Sequence, residues 1–178
     1  MAHFAVTAIG ADRPGIVAAL TGALYERGAN LEDISSTILR GHFAMMLMVD
    51  APEGVSAADL EAALRAAADP LGVSVAVRDV EAGVPTRPEA THVLVAYGAD
   101  RPGIVARIAR LLADRGVNIT ALSSRLVGGE PPESVYAMVA ELALPPQLDP
   151  DRLGAELRSL AQELSVDVTF RPVEVETL

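Results

Sequence analysis

Gly10-Ala11-Asp12-Arg13-Pro14-Gly15-Ile16-Val17-Ala18 stands again, unchanged, as Gly98-Ala99-Asp100-Arg101-Pro102-Gly103-Ile104-Val105-Ala106. The offset is 88 residues. Extended to Ala8–Ser36 against Ala96–Ser124, it gives 16 identities in 29 positions. The same shift pairs Arg27-Gly28 with Arg115-Gly116, Asn30 with Asn118, and Ser35-Ser36 with Ser123-Ser124. Nine consecutive identities exclude chance, so the chain carries a duplicated unit. A period this long is no solenoid repeat, and each copy reads as a small domain.

Outward from the repeat, the first unit reads as βαββαβ. Residues 3–9 are a strand. Pro14 follows, and its missing N–H and fixed φ suit a first helical position. Ile16, Val17, Leu20 and Leu24 then share a helical face, and Gly28 ends the helix. Leu31 to Arg40 reads as a second strand, closed by the turn Arg40-Gly41-His42. Phe43, Met45, Leu47 and Val49 alternate with Ala44, Met46 and Met48 in a strand apolar on both faces. Such a strand belongs at the centre of a sheet, with Met45, Met46 and Met48 in its core. Ser56 with Asp59 forms a capping box before an Ala-rich helix that Pro70 stops. Val73, Val75 and Val77 alternate in the last strand. The second unit repeats the order, with strand 91–97, helix 102–115, strands 118–127 and 134–142, and a helix opened by Asp149 and Pro150. Its final strand carries Val166, Val168 and Phe170.

The fold expected is therefore α+β. It comprises two ferredoxin-like βαββαβ domains, each a four-stranded antiparallel sheet with both helices on one face. Residues 1–81 and 90–178 are the domains, and 82–89, with two prolines, are the linker. The strand after each first helix lies at a sheet edge, and unpaired edges need blunting or a partner. Leu31–Arg40 and Ile119–Val127 could pair side by side into one eight-stranded sheet. One departure from the repeat is Val127 to Glu133, which lengthens the second unit's hairpin by five residues. Residues 128–133 could touch a partner or form a tolerated surface loop.

Composition removes several function classes. The chain has 178 residues, 14 basic and 24 acidic, for a net charge of −10. A chain this acidic lacks the basic face that a phosphate backbone requires, so no direct nucleic-acid partner is expected. Every basic residue is Arg. Without Lys there is no Schiff base and no P-loop lysine. Without Cys there is no thiol catalysis and no thiolate metal site. The longest stretch free of Asp, Glu and Arg is Pro14 to Tyr25, too short for a bilayer. A cytoplasmic protein without a membrane partner is the expectation. His3, His42 and His92 show no ligand-like spacing, so no metal site and no cofactor are expected. The serine pairs lie in strands, without the context of a nucleophile elbow, so no catalytic residue is assigned.

The repeated loop has the physics of an anion site. A helix begins with N–H groups that lack intrahelical partners and with the positive end of its macrodipole. Gly15 and Gly103 have no side chain to keep a ligand away from those groups. A carboxylate matches such a place. Asp12 and Asp100 could accept from the first helical N–H groups or hold a ligand ammonium. Asn30 and Asn118 both donate and accept, which suits a zwitterion. The same residues also make ordinary turns and helix starts.

Asp-Arg-Pro-Gly-Ile-Val, about a dozen helical residues, then Arg-Gly-Ala-Asn-Leu resembles an ACT domain, the amino-acid-sensing module of metabolic regulation. Two such units alone resemble the glycine cleavage system transcriptional repressor family. That resemblance implies side-by-side pairing of units and a small amino acid, glycine or serine, bound where they meet. It maps the ligand contacts onto Asp12, Arg13, Pro14, Gly15, Ile16 and Asn30, and onto Asp100, Arg101, Pro102, Gly103, Ile104 and Asn118. It further implies a regulatory or transcription-factor protein as partner, with a homodimer compatible, and no enzymatic activity. Two alternatives stand beside this reading. An acylphosphatase-type enzyme would use Arg13 to cradle phosphate and Asn30 to position water. An oligomerisation scaffold would bind no ligand.

Overall fold

Alternating strands and 3.6-periodic helices form where the residue pattern places them. The computed structural model describes residues 1–81, 88–128 and 135–173. The chain divides into two units, residues 1–85 and 86–178. The first runs β1 (Ala2–Ala11), α1 (Ile16–Glu26), β2 (Asn30–Leu39), β3 (His42–Ala51), α2 (Ala57–Ala68) and β4 (Val73–Val80). The second runs β5 (His92–Ala99), α3 (Ile104–Asp114), β6 (Asn118–Val127), β7 (Val135–Ala143), α4 (Pro150–Leu164) and β8 (Val166–Pro172). Most of the expected linker (82–87) and of the hairpin insertion (129–133) lies outside the described residues.

Each sheet is antiparallel. The strand orders are β2-β3-β1-β4 and β6-β7-β5-β8. β2 and β6 are edges, as expected for the strand that follows the first helix. Alternate strand residues and the two helices of a unit meet on one face. Phe4, Val6, Phe43, Leu47 and Val75 pack with Ile16, Leu20, Leu24, Leu60 and Leu64 in the first unit. Leu94, Met138 and Leu142 pack with Ile108, Leu112, Leu153 and Leu157 in the second. Each such side chain contributes about 1.5–3 kcal/mol by leaving water.

The caps follow the sequence closely. Ser56 and Asp59 make the reciprocal capping box of α2, and Asp149 accepts from the Asp151 N–H at the start of α4. Two expectations are corrected. Met46 is 51% exposed and is not core; it pairs with Thr7 and points away from the helices, whereas Met45 points inward. Pro14 is not the first helical residue. Gly15 takes φ 97°, a left-handed conformation, so α1 starts only at Ile16. Gly103 does the same, at φ 96°, before α3. The glycine is thus demanded by the backbone itself, since a side chain is strained at that φ.

Candidate functional site

The two loop–helix junctions are built alike. Asp12 is tied down by its own N–H, which donates to the Gly41 carbonyl at 2.9 Å. Asp12, Arg13, Pro14 and Gly15 are exposed, as are Asp100, Arg101, Pro102 and Gly103. A Cβ built on Gly15 or Gly103 would meet nothing within 4 Å. The space beside each helix start is therefore open. Among the described residues, no side chain accepts from the first-turn N–H groups of α1 or α3. Asp12 and Asp100 do not cap, and neither first turn carries an acidic residue. Bare amides with a positive macrodipole end attract a carboxylate.

Not every candidate residue can act through its side chain. Ile16 and Ile104 are each only 2% exposed and belong to the cores. Only their backbone amides face the junction. Gly10 and Gly98, also in the repeat, serve the sheet. A Cβ on Gly10 would lie 2.8 Å from the Gly72 carbonyl oxygen, and one on Gly98 would lie 3.0 Å from Val166 Cα. Arg101 donates to the Ser165 hydroxyl at 3.2 Å.

Within one unit the loop and the asparagine do not converge. Ala11, beside the loop, pairs with His42, which pairs with Leu39 at the far end of β2. Asn30 pairs with Asp50, which pairs with His3 at the start of β1. His3 and Ala11 are eight strand residues apart, or about 27 Å at 3.4 Å per residue. Asn118, opposite Ala143, stands likewise at the other end of its sheet from Ala99, opposite Val135. In each unit the loop and the asparagine therefore lie at opposite ends of the sheet. The acylphosphatase alternative needs Arg13 and Asn30 on one phosphate, and a single unit does not bring them together.

Both edge strands expose an apolar row beyond their helices. Ile34 and Ile38 are exposed on β2, and Leu122 and Leu126, their equivalents at the repeat offset, on β6. A shallow apolar groove of about 490 Å³ also crosses the sheet of the first unit, past Thr7, Ile9, Thr37 and Met46.

One cluster escapes any reading of spacing. His3, Glu32 and Asp50 bring one ligand atom each to within 4.8 Å of one another. They come from β1, β2 and β3. His3 faces Asp50 across the sheet, and a bulge between Leu31 and Asp33 inserts Glu32 beside them. Among the described residues, no helix is long and apolar enough to cross a membrane.

Comparison with known proteins gives the family. Models of the ACT domain match residues 2–78 and 92–161. A UPF0237 protein of Methanopyrus kandleri is 51% identical over 79 residues, which are 44% of this chain and 88% of that one. A protein of unknown function from Galdieria sulphuraria superposes with a TM-score of 0.81 at 27% identity, over 97% of this chain and 99% of that one. A "putative glycine cleavage system transcriptional repressor" has the same fold, with a TM-score of 0.73 at 16% identity over 98% of each chain. The duplicated loop, the two βαββαβ sheets and these matches agree: the chain belongs to the ACT-domain family, with two ACT domains in tandem.

Proposed function

We propose that this protein is a cytoplasmic sensor of a small amino acid, glycine or serine before others, that relays occupancy to another protein. ACT domains are amino-acid-binding regulatory modules, which sets the class. The observation that carries the finer reading is the repeated open helix start. Among the described residues its first amides have no side-chain acceptor, its glycine leaves free space, and an aspartate that does not cap the helix stands beside it.

In this reading the ligand carboxylate takes the amides at Gly15–Ile16 or Gly103–Ile104. Asp12 or Asp100 takes the ammonium. Asn30 or Asn118 closes the site from a different unit, because its own unit holds it about 27 Å away. The edges β2 and β6, with their exposed Ile and Leu rows, are the pairing surfaces, within one chain or in a homodimer. A ligand shared by two units favours the paired arrangement through its differential affinity, and that difference is the signal. The net charge of −10 favours a protein partner over DNA. A transcriptional regulator of glycine cleavage fits that description.

A thermal-shift screen of the twenty amino acids tests this. A ligand at 100 times its dissociation constant adds about 2.7 kcal/mol of stability. Stabilisation by glycine or serine is expected. No stabilisation by any amino acid would leave only the scaffold reading.

A further inference from the structure

We propose that His3, Glu32 and Asp50 form a binding site for a divalent first-row metal ion of the zinc class, present in the first ACT domain and absent from the second. Their ligand atoms gather at one corner of the sheet, where three strands meet. Asp50 is only 8% exposed, and its buried Oδ1 has no hydrogen-bond partner among the described residues. His3 Nδ1 stands against that same oxygen and pairs with it as an ion pair whenever the imidazole is protonated. Beside a neutral imidazole, a buried carboxylate oxygen is costly unless it coordinates a metal.

The bulge in β2 completes the set. A bulge re-aims a side chain, and this one places Glu32 next to the His3–Asp50 pair. One imidazole nitrogen and two carboxylates make a borderline donor set suited to zinc, with a fourth position open to water. Tetrahedral zinc with ligands near 2.0–2.1 Å sets donor atoms about 3.3 Å apart. The exposed Glu32 can swing in from within 4.8 Å, and His3 and Asp50 need only part slightly.

The second domain shows what the corner looks like without this chemistry. Its bulge recurs between Ile119 and Ala121, but the inserted residue is Thr120. Thr91 stands where His3 stands, and Ala143 replaces Asp50 opposite the asparagine. The Thr91 hydroxyl donates to the Leu142 carbonyl at 3.2 Å and accepts from the Leu144 N–H at 3.1 Å. That corner is satisfied by its own backbone. In the first domain an ion takes the place of those bonds and ties β1, β2 and β3 together where Asn30 begins its strand.

The test uses the full chain without any affinity tag, stripped with a chelator and titrated with zinc chloride alone against a chromogenic chelator. One zinc equivalent per chain is expected. Glu32→Gln and His3→Gln should each weaken binding by at least about tenfold. Glu32 is exposed, so its variant keeps the fold, and the melting temperature of the stripped protein should not change with it. Zinc should raise the melting temperature of the wild type and not that of Glu32→Gln. No competitive zinc binding, or zinc binding unchanged in Glu32→Gln, overturns the proposal.

Discussion

The first and second domains share nine consecutive residues and surround them differently. Between α1 and α2 of the first domain run Ala19, Gly22, Ala23, Ala63 and Ala67. At the equivalent places α3 carries Arg107, Arg110 and Leu111, and ion pairs to α4 flank the apolar packing of Ile108 and Leu112 with Leu153 and Leu157. Arg107 meets Glu163, and Arg115 Nε donates to Glu156 Oε2 at 2.8 Å. Beside the apolar core, small side chains line the seam between the helices of the first unit, and charged ones bridge it in the second. The repeated Arg27 and Arg115 keep a common task, since each reaches the second helix of its own unit, Arg27 at the Asp59 carbonyl and Arg115 at Glu156. What duplication has preserved is therefore the loop geometry and its anchors, while the packing around them has drifted. Exposed residues that stay identical, such as Asp12 and Asp100, are the ones on which the proposed receptor role rests.

The comparison can be broken most forcefully at Gly10 and Gly98. Gly10→Ala drives a Cβ to 2.8 Å from a backbone oxygen and 2.9 Å from Val73 Cγ2. A loss of about 1–3 kcal/mol is expected in urea denaturation. Gly98→Ala, with contacts at 3.0–3.1 Å, should cost less. Equal losses would mean that the two sheets close on their loops in the same way.

Next in size are the asparagines. Asn30 and Asn118 are exposed, so Asn→Ala should leave stability within about 0.5 kcal/mol. Each should weaken amino-acid binding by about tenfold, or 1.4 kcal/mol, in calorimetry. If one variant leaves affinity untouched, only one of the two junctions is a receptor.

Tyr136 is the counterpart of Phe43; each faces the close-packed glycine of its β-sheet, Gly98 or Gly10. Among the described residues the buried Tyr136 hydroxyl has no hydrogen-bond partner. Tyr136→Phe should stabilise the second domain by about 1 kcal/mol, seen as a raised urea midpoint. A destabilised variant would show that the hydroxyl is satisfied in solution.

The smallest effects are those of pH. The Arg115 hydrogen bond holds the Glu156 carboxyl below its ordinary value, and the Ser56 side chain does the same for Asp59. A carboxyl depressed in the folded state binds fewer protons there than in the unfolded chain. Its stabilising contribution is present above the unfolded pKa and fades as pH falls through the folded one. Melting temperature should therefore fall slightly as pH drops from about 6 to about 3. Glu156→Gln should reduce that slope in the second domain and Ser56→Ala in the first. Unchanged slopes would place the acid sensitivity elsewhere.

Much of this was legible in the residue order. Alternation located the strands, β3 was central because both its faces are apolar, and Ser56, Asp59 and Asp149 marked their caps. The edge position of β2 and β6 followed from topology. Four features were not legible. Gly15 is a left-handed turn residue, and a Pro-Gly pair reads equally well as a helix start. The outward face of β3 carries methionine, so Met46 looked like core. Antiparallel register decides that Asn30 lies far from Asp12, and register is invisible to spacing along the chain. The same register, with a one-residue bulge, gathers His3, Glu32 and Asp50 from positions that no local motif connects.

Backbone amide NMR during titration with glycine, and then with serine, measures the receptor role of the helix starts most directly. Progressive, saturable shifts centred on the amides of Gly15, Ile16, Gly103 and Ile104 are expected, with Asn30 and Asn118 responding alongside. Saturable shifts that spare both helix starts, or no shifts with any amino acid, would contradict it.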